Sequence, residues 1–366
     1  MQIYCALCGQ KEHELLSHLR QVHEMIPDRY RERCKDAPLI SEDMAAYIRD
    51  TRLVATEDGV KKQVQLFGVE FVTDILPGHL VPQVDEAYVF QEDLARQVLI
   101  SLRDNEKILL VGPTGCGKST LVEQLAARLN WPVVRVAASG GLTESDLLGE
   151  WTVREGQTVF NYGFLPRAMR MGAVCLIDEI DGMEPSVAFA IHQLMEDQGK
   201  LVLLQNGGEV IEPHDNFRLV TTSNTIGQGD ESGLYTGTRV LNAAFLDRFA
   251  AVFRMSYMPA DLEVEVIRSR VPECKKSLAQ KFVRAATDVR KARENDEVYC
   301  TLSTRRLIEL ARKHVQLGDL STALELAVLN RLQSEDRQVV FEVCQRHMGG
   351  DMLGQKEVNT DESQKS

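Results

Sequence analysis

The chain has 366 residues, of which 44% are hydrophobic and 26% charged, and its net charge is −12. That balance excludes a collagenous, mucin-like or mainly disordered chain and leaves room for two or three domains, each with its own core. An acidic surface repels phosphate backbones, so nucleic-acid binding is not expected; no apolar run approaches a membrane span and the start of the chain lacks the regions of a signal peptide, which together predict a cytoplasmic protein. Eight cysteines, mostly single and in apolar contexts such as Cys175 and Cys344, suit a reducing compartment rather than a disulfide framework.

At the start, Cys5, Cys8, His18 and His23 form C-x2-C-x9-H-x4-H on a predicted turn and helix. Two thiolates and two imidazoles make a tetrahedral donor set for a structural Zn²⁺, and so short a segment has too small a core to fold without a metal. The alternative is two turn cysteines and two helix-face histidines with no metal between them; His13 and Cys34 are spare donors. The spacing, followed by His23-Glu24-Met25-Ile26-Pro27-Asp28-Arg29-Tyr30, resembles the Ros/MucR type of bacterial zinc finger. Met1 to Lys35 carries six Lys or Arg against five Asp or Glu, too even a balance for phosphate contacts, so the finger is expected to dock protein rather than read DNA. The module spans residues 1–36. A polar connector with weak helical periodicity around Met44 to Leu53 occupies 37–84.

A predicted helix from Gln91 to Leu102 leads into Ile108 to Val111, a short apolar run typical of a buried parallel strand. Gly112-Pro113-Thr114-Gly115-Cys116-Gly117-Lys118-Ser119-Thr120 then fits G-x-x-x-x-G-K-[ST], the pattern that cradles ATP phosphates. Its glycines let successive backbone N–H groups point at phosphate oxygens, while Lys118 would reach the β- and γ-phosphates and the Ser119 hydroxyl would hold Mg²⁺. Leu121, Val122, Leu125, Ala126 and Leu129 continue as a helix. Downstream, Ala173 to Ile177 is a strand ending in Asp178-Glu179, with Asp178 placed to bind Mg²⁺ through water and Glu179 to polarise the attacking water. A further strand, Phe217 to Thr222, ends at Ser223-Asn224, where Asn224 can orient that water. Leu241 to Phe249 reads as a short helix closed by Arg248, before a strand at Ala250 to Phe253. Beyond Pro259, amphipathic helices are predicted at Ala260 to Arg270, Lys275 to Glu294, Ser303 to Gln316 and Leu320 to Leu332. The tail, 349–366, reads as polar and disordered.

These motifs together resemble an AAA+ ATPase: an α/β P-loop core with a parallel sheet flanked by helices (85–258) and a C-terminal helical lid (259–348). Asp85-Glu86-Ala87-Tyr88-Val89-Phe90, Ala127-Arg128-Leu129-Asn130-Trp131-Pro132 and Gly233-Leu234-Tyr235-Thr236-Gly237-Thr238 resemble the MoxR and chelatase group, above all the ATPase subunit of aerobic cobaltochelatase. The resemblance implies that Asn224 is sensor 1, Arg248 an arginine finger acting on a neighbouring subunit and Arg305 the sensor 2 arginine; Arg239 is a second candidate interface arginine, although the cobaltochelatase subunit usually has an uncharged residue there. It implies a ring, a hexamer. Leu142 to Met169 resembles the helix-2 insert of MoxR-type ATPases, and Lys200 to Ile211, turning at Asn206-Gly207-Gly208, the hairpin before sensor 1; in this clade such hairpins face a pore or partner, the alternative being a purely structural hairpin. Three functions follow as alternatives: remodelling of a partner with a von Willebrand A domain; cobalt insertion beside a large chelatase subunit; or DNA-binding regulation with the finger as reader. The P-loop and Ile177-Asp178-Glu179-Ile180-Asp181 stand closer to general MoxR usage than to the chelatase subunit, which favours the first.

Overall fold

The computed structural model describes residues 3–12, 15–23, 30, 33–35, 37–39, 54–56, 59–74, 80–138, 141–154, 156–196, 199–225 and 242–353. At the N-terminus, strands β1 (Ile3–Tyr4) and β2 (Lys11–Glu12) pair antiparallel and helix α1 (Leu16–His23) follows. Their apolar core is small: Cys5, Leu15, Leu19, Tyr30 and Leu39. Tyr30 is fully buried, and its hydroxyl accepts the Ala6 N–H at 2.9 Å, which fixes the loop between Cys5 and Cys8.

The stretch expected as a connector contains an antiparallel meander of β3 (Val54–Thr56), β4 (Gly59–Leu66) and β5 (Val69–Asp74). Val69 is buried, and Val64, Leu66, Phe67 and Phe71 pack on the same core as β6 (Ile108–Val111), so this part of the expected connector packs against the central layer. Met44 to Leu53, Met25 to Arg29, His13, Arg239 and the Gly233 to Thr238 stretch lie outside the described residues.

The central layer follows in chain order: α2 (Glu92–Arg103), β6 (Ile108–Val111), α3 (Lys118–Arg128), β7 (Val133–Ala137), α4 (Glu144–Leu148), β8 (Gly149–Arg154), β9 (Gln157–Tyr162), α5 (Phe164–Met171), β10 (Val174–Asp178), α6 (Pro185–His192), β11 (Leu201–Leu203), β12 (Glu209–Ile211), β13 (Arg218–Ser223), α7 (Ala243–Leu246) and β14 (Ala251–Arg254). Five parallel strands form one sheet in the order β14-β6-β13-β10-β7. Strands β6 and β10 are buried throughout, as expected of apolar runs covered by helices on both faces, and β13 is buried as well although it reads R-L-V-T-T-S. One face packs under α2 and α3, the other under α4, α5 and α6. Two antiparallel hairpins, β8-β9 and β11-β12, form separate two-stranded sheets outside the central one.

The lid has its own apolar core, built by α8 (Ala260–Arg270), α9 (Lys276–Glu294), α10 (Thr304–Leu317), α11 (Leu320–Ala327) and α12 (Ser334–Leu353). Helix α12 was not separated by the sequence reading, and it carries helix through Gly349 and Gly350 into the stretch expected to be disordered. At the centre of the lid, the buried Glu263 carboxylate accepts from Arg290 Nη2 and Nη1 at 2.7 and 2.8 Å and from the Thr304 hydroxyl at 2.6 Å, tying α8, α9 and α10 together.

Glu263→Ala would leave the Arg290 guanidinium buried beside no carboxylate. It should destabilise the lid by about 3–5 kcal/mol, read as an earlier transition in calorimetry. Glu325→Ala, which removes only the exposed pair with Arg337, should stay within about 1 kcal/mol.

Candidate active site

Strand order decides which residues can meet. Because β13 lies between β6 and β10, the residues leaving the carboxyl ends of these three strands converge: Gly112 after β6, Asn224 after β13, Asp178 ending β10. Gly112 N–H donates to Ser223 O at 3.2 Å, closing the gap between the first two. A Cβ at Gly112 would lie 2.3 Å from Met255 O, so no other residue fits there. Gly115 has φ +72°, and a Cβ on it would strike Ser303 at the start of α10, 2.7 Å away. The loop can therefore sit directly beneath the lid only with glycine at that position.

Lys118 is 8% exposed. Its ammonium donates to Gly112 O (2.6 Å), Pro113 O (3.1 Å) and Asn224 Oδ1 (2.9 Å). Burial lowers its pKa, against the pull of nearby acidic groups including Asp181, Asp178 and Glu179. Ser119 Oγ donates to Asp178 Oδ1 at 2.5 Å, and Thr222 Oγ1 donates to the same oxygen at 3.0 Å. A hydroxyl and a carboxylate side by side at the start of a helix are hard oxygen donors, which fit Mg²⁺. Glu179 follows in the left-handed conformation (φ 56°), with its N–H donating to Thr222 Oγ1 at 3.1 Å. Cys116 is buried, and burial raises its thiol's pKa, so it stays protonated within the loop.

The lid completes the other side. A cavity of about 260 Å³ beside Gly115, Cys116 and Gly117 is walled by Tyr88 and Val89 on one side and by Arg305 and Ile308 of α10 on the other. Arg270 pairs with Asp85, Ser269 Oγ donates to Ala87 O at 2.9 Å, and Tyr257 OH donates to Thr114 O at 3.0 Å. Arg305 is exposed and faces this cavity. Arg248 stands apart: it is paired with Glu196 at 2.8 Å and donates to Ala244 O at 2.5 Å, on the surface.

Three polar residues at this site escaped the sequence reading. Arg135 on β7 donates Nε–H to Asp178 Oδ2 at 2.5 Å; a charge inside the apolar run V-V-R-V-A was the available signal. Thr222 bridges Asp178 and Glu179. Asp181 is fully buried and accepts from Asn224 N (3.1 Å), Thr225 N (3.0 Å) and Thr225 Oγ1 (3.1 Å).

In the N-terminal module, Cys5, Cys8, His18 and His23 bring one donor atom each within 4.8 Å of all the others. Cys5 Sγ to His23 Nε2 is 3.4 Å, Cys8 Sγ to His18 Nε2 is 3.3 Å, and the two Nε2 atoms are 3.2 Å apart. Tetrahedral bonds of about 2.0–2.3 Å place ligand atoms about 3.3–3.8 Å apart, so the set fits Zn²⁺.

The chain is similar to known proteins over most of its length. Residues 107–249 match the AAA domain of the dynein-related subfamily, and residues 263–345 match the CbbQ/NirQ/NorQ C-terminal family. The aerobic cobaltochelatase subunit CobS of Sinorhizobium sp is 35% identical over 299 residues, covering 78% of this chain and 89% of its own. Protein NorQ of Paracoccus denitrificans (strain Pd 1222) is 31% identical, covering 71% of this chain and 88% of its own. The RuvB Holliday junction branch migration motor of Thermotoga maritima aligns with 72% of each chain at 16% identity and a TM-score of 0.42. With a P-loop, an acidic strand end and a helical lid on a five-stranded parallel sheet, and with CobS and NorQ aligned across most of their length, the chain belongs to the AAA+ ATPases, in the MoxR-like group of CobS, NorQ, NirQ and CbbQ.

Proposed function

We propose that this ATPase is the motor of a cytoplasmic ring, a hexamer, which remodels or activates a partner protein carrying a von Willebrand A domain. The observation that carries the reading is the convergence of Lys118, Ser119, Asp178 and Asn224 at three adjacent strand ends. Lys118 would exchange its carbonyl partners for β- and γ-phosphate oxygens, and Ser119 and Asp178 would hold Mg²⁺, which offsets phosphate charge when bound. Glu179 would take a proton from the attacking water while Asn224 orients it. Arg248 would leave Glu196 to reach a neighbour's γ-phosphate, and Arg305 would sense the same group from the lid.

The outlet for the work is read at the two hairpins. Trp151 Nε1–H donates to Gln205 O at 2.8 Å and Tyr162 OH to Glu209 Oε2 at 2.8 Å, so β8-β9 and β11-β12 are tied together. Trp151, Val153 and Leu204 stand exposed on them, at 53%, 73% and 80%. Apolar tips on a polar-braced mount support contact with a protein chain. The choice of a von Willebrand A partner rests on the MoxR-type motifs. A second reading, favoured by the alignment with CobS, is a cobaltochelatase subunit working with a large metal-inserting subunit. The Cys5, Cys8, His18 and His23 cluster is read as a structural Zn²⁺ site that docks protein.

Glu179→Gln should bind ATP while lowering turnover by about a hundredfold or more. Used as bait with ATP, it should retain a von Willebrand A protein; recovery of a very large chelatase subunit would favour cobalt insertion, and salt-labile DNA alone would sink both. Arg248→Ala should lose about a thousandfold in turnover, and mixing it with Lys118→Ala subunits should restore part of the rate if the arginine acts between subunits. Elemental analysis should find stoichiometric zinc in the purified chain and none in Cys8→Ser; zinc-free wild type would refute the site.

A further inference from the structure

We propose that Arg135 is a positioning residue for the divalent cation: it clamps Asp178 to the P-loop helix through Glu123, without drawing on the negative charge that the cation needs. The inference rests on the reading of Ser119 and Asp178 as the cation's donors.

The register explains how Arg135 gets there. Strand β7 pairs with β10 so that Arg135 lies opposite Leu176 and Ala137 opposite Asp178. Side chains alternate along a strand, so Arg135 and Asp178 share one face as diagonal neighbours, a separation of about 7–8 Å that a long side chain spans. Arg135 Nε reaches Asp178 Oδ2 at 2.5 Å, and its Nη1 reaches Glu123 Oε1 at 3.0 Å. Glu123 stands on α3, the helix that Lys118 and Ser119 begin. One planar fork therefore joins the strand that carries Asp178 to the helix that carries Ser119. A lysine, with a single point charge, cannot reproduce this two-way grip.

The division of the Asp178 oxygens is informative. Oδ1 faces the hydroxyls of Ser119 and Thr222, and Oδ2 is taken by Arg135. Arg135 thus holds the carboxylate from the side away from Ser119. A lone guanidinium beside a cation site would repel the cation. Here Glu123 supplies the compensating charge, so the Arg135–Glu123 pair is neutral in sum and Asp178 keeps its own charge. Arg135 is also 48% exposed, which screens whatever field remains, whereas Asp178 is 9% exposed. Orientation is what Arg135 contributes, and loss of partners behind a metal ligand typically weakens the metal by about 10–100-fold.

The test uses the full chain, a fluorescent non-hydrolysable ATP analogue and a Mg²⁺ titration. In EDTA, Arg135→Ala should bind the analogue as wild type does; with Mg²⁺, its half-saturating concentration should rise on the order of tenfold. Arg135→Lys should recover part of that shift, and Glu123→Gln, which leaves the Asp178 contact but unbalances its charge, should also raise the requirement. An unchanged or lowered Mg²⁺ requirement in Arg135→Ala overturns the inference, the lowered case making Arg135 a competitor of the cation. Should Arg135→Ala fail to fold, seen as lost binding in EDTA, Arg135→Lys and Glu123→Gln decide by the same criterion. Asp178→Asn separates the two failures: if it keeps the Mg²⁺ dependence of wild type, the reading of the donors is wrong; if it loses it while Arg135→Ala is unaffected, only the inference fails.

Discussion

The buried ammonium of Lys118 is the contact on which the rest of the site's geometry depends. An ammonium has three N–H donors, and here all three are used: two on the carbonyls of Gly112 and Pro113, one on Asn224. Burial of a charge costs several kcal/mol unless its hydrogen bonds are replaced, and these three acceptors replace them. Two of the acceptors belong to the loop itself, so the lysine holds the loop's shape from within. The third, Asn224, follows a different strand, so the lysine also ties the loop to the carboxyl end of β13. This is possible only with β13 between β6 and β10. Any other order would separate Asn224 from either Lys118 or Asp178.

The same economy runs through Asp178, Glu179 and Asp181. Strand β10 ends at Asp178, and the chain then enters the left-handed region at Glu179, a conformation costing about 1–2 kcal/mol for a residue with a side chain. Thr222 offsets that cost, since its hydroxyl accepts the Glu179 N–H and donates to Asp178. Asp181 then secures the loop after β13 through two backbone N–H groups and the Thr225 hydroxyl. The third carboxylate of I-D-E-I-D thus holds the Asn224 backbone in register with Glu179. It is a brace between two strand ends: three donors meet its Oδ2, while its Oδ1 is buried without a hydrogen-bond partner among the described residues.

How much of this was legible in the chain depends on the kind of constraint. The P-loop, the acidic end of β10, the Asn224 strand and four lid helices were legible because each is a local pattern: an apolar run, a fixed glycine spacing or a helical stripe. The meander of β4 and β5 was not, because K-K-Q-V-Q-L and V-E-F-V-T-D bury only some of their residues and mix polar and apolar types on a half-covered surface. Helix α12 was missed because its apolar residues do not gather in one clear stripe and two glycines interrupt it. Arg135, Thr222 and Asp181 were missed for a different reason. Each acts through a partner more than 40 positions away in the chain, so only the order and register of the sheet reveal what they touch.

The boundary between core and lid follows from the same comparison of local and distant contacts. Inside the lid, a continuous apolar core and the Glu263–Arg290–Thr304 cluster join the helices, and the Arg290 guanidinium lies 3.7 Å above the Tyr257 ring. Across the boundary, the polar contacts shown among the described residues include Tyr257 OH on Thr114 O, Ser269 on Ala87 O and Arg270 on Asp85, with Ser303 resting against Gly115. Each such hydrogen bond contributes about 1 kcal/mol net, far less than the burial within the lid. A displacement of the lid therefore breaks these contacts before it disturbs the helices. Tyr257 lies in the short link between Arg254 of β14 and Ala260 of α8, with its ring under the lid's arginine and its hydroxyl on the P-loop. A rotation about that link changes the Thr114 carbonyl's partner, so the P-loop and the position of the lid are joined through Tyr257 as well as through the Ser303–Gly115 contact.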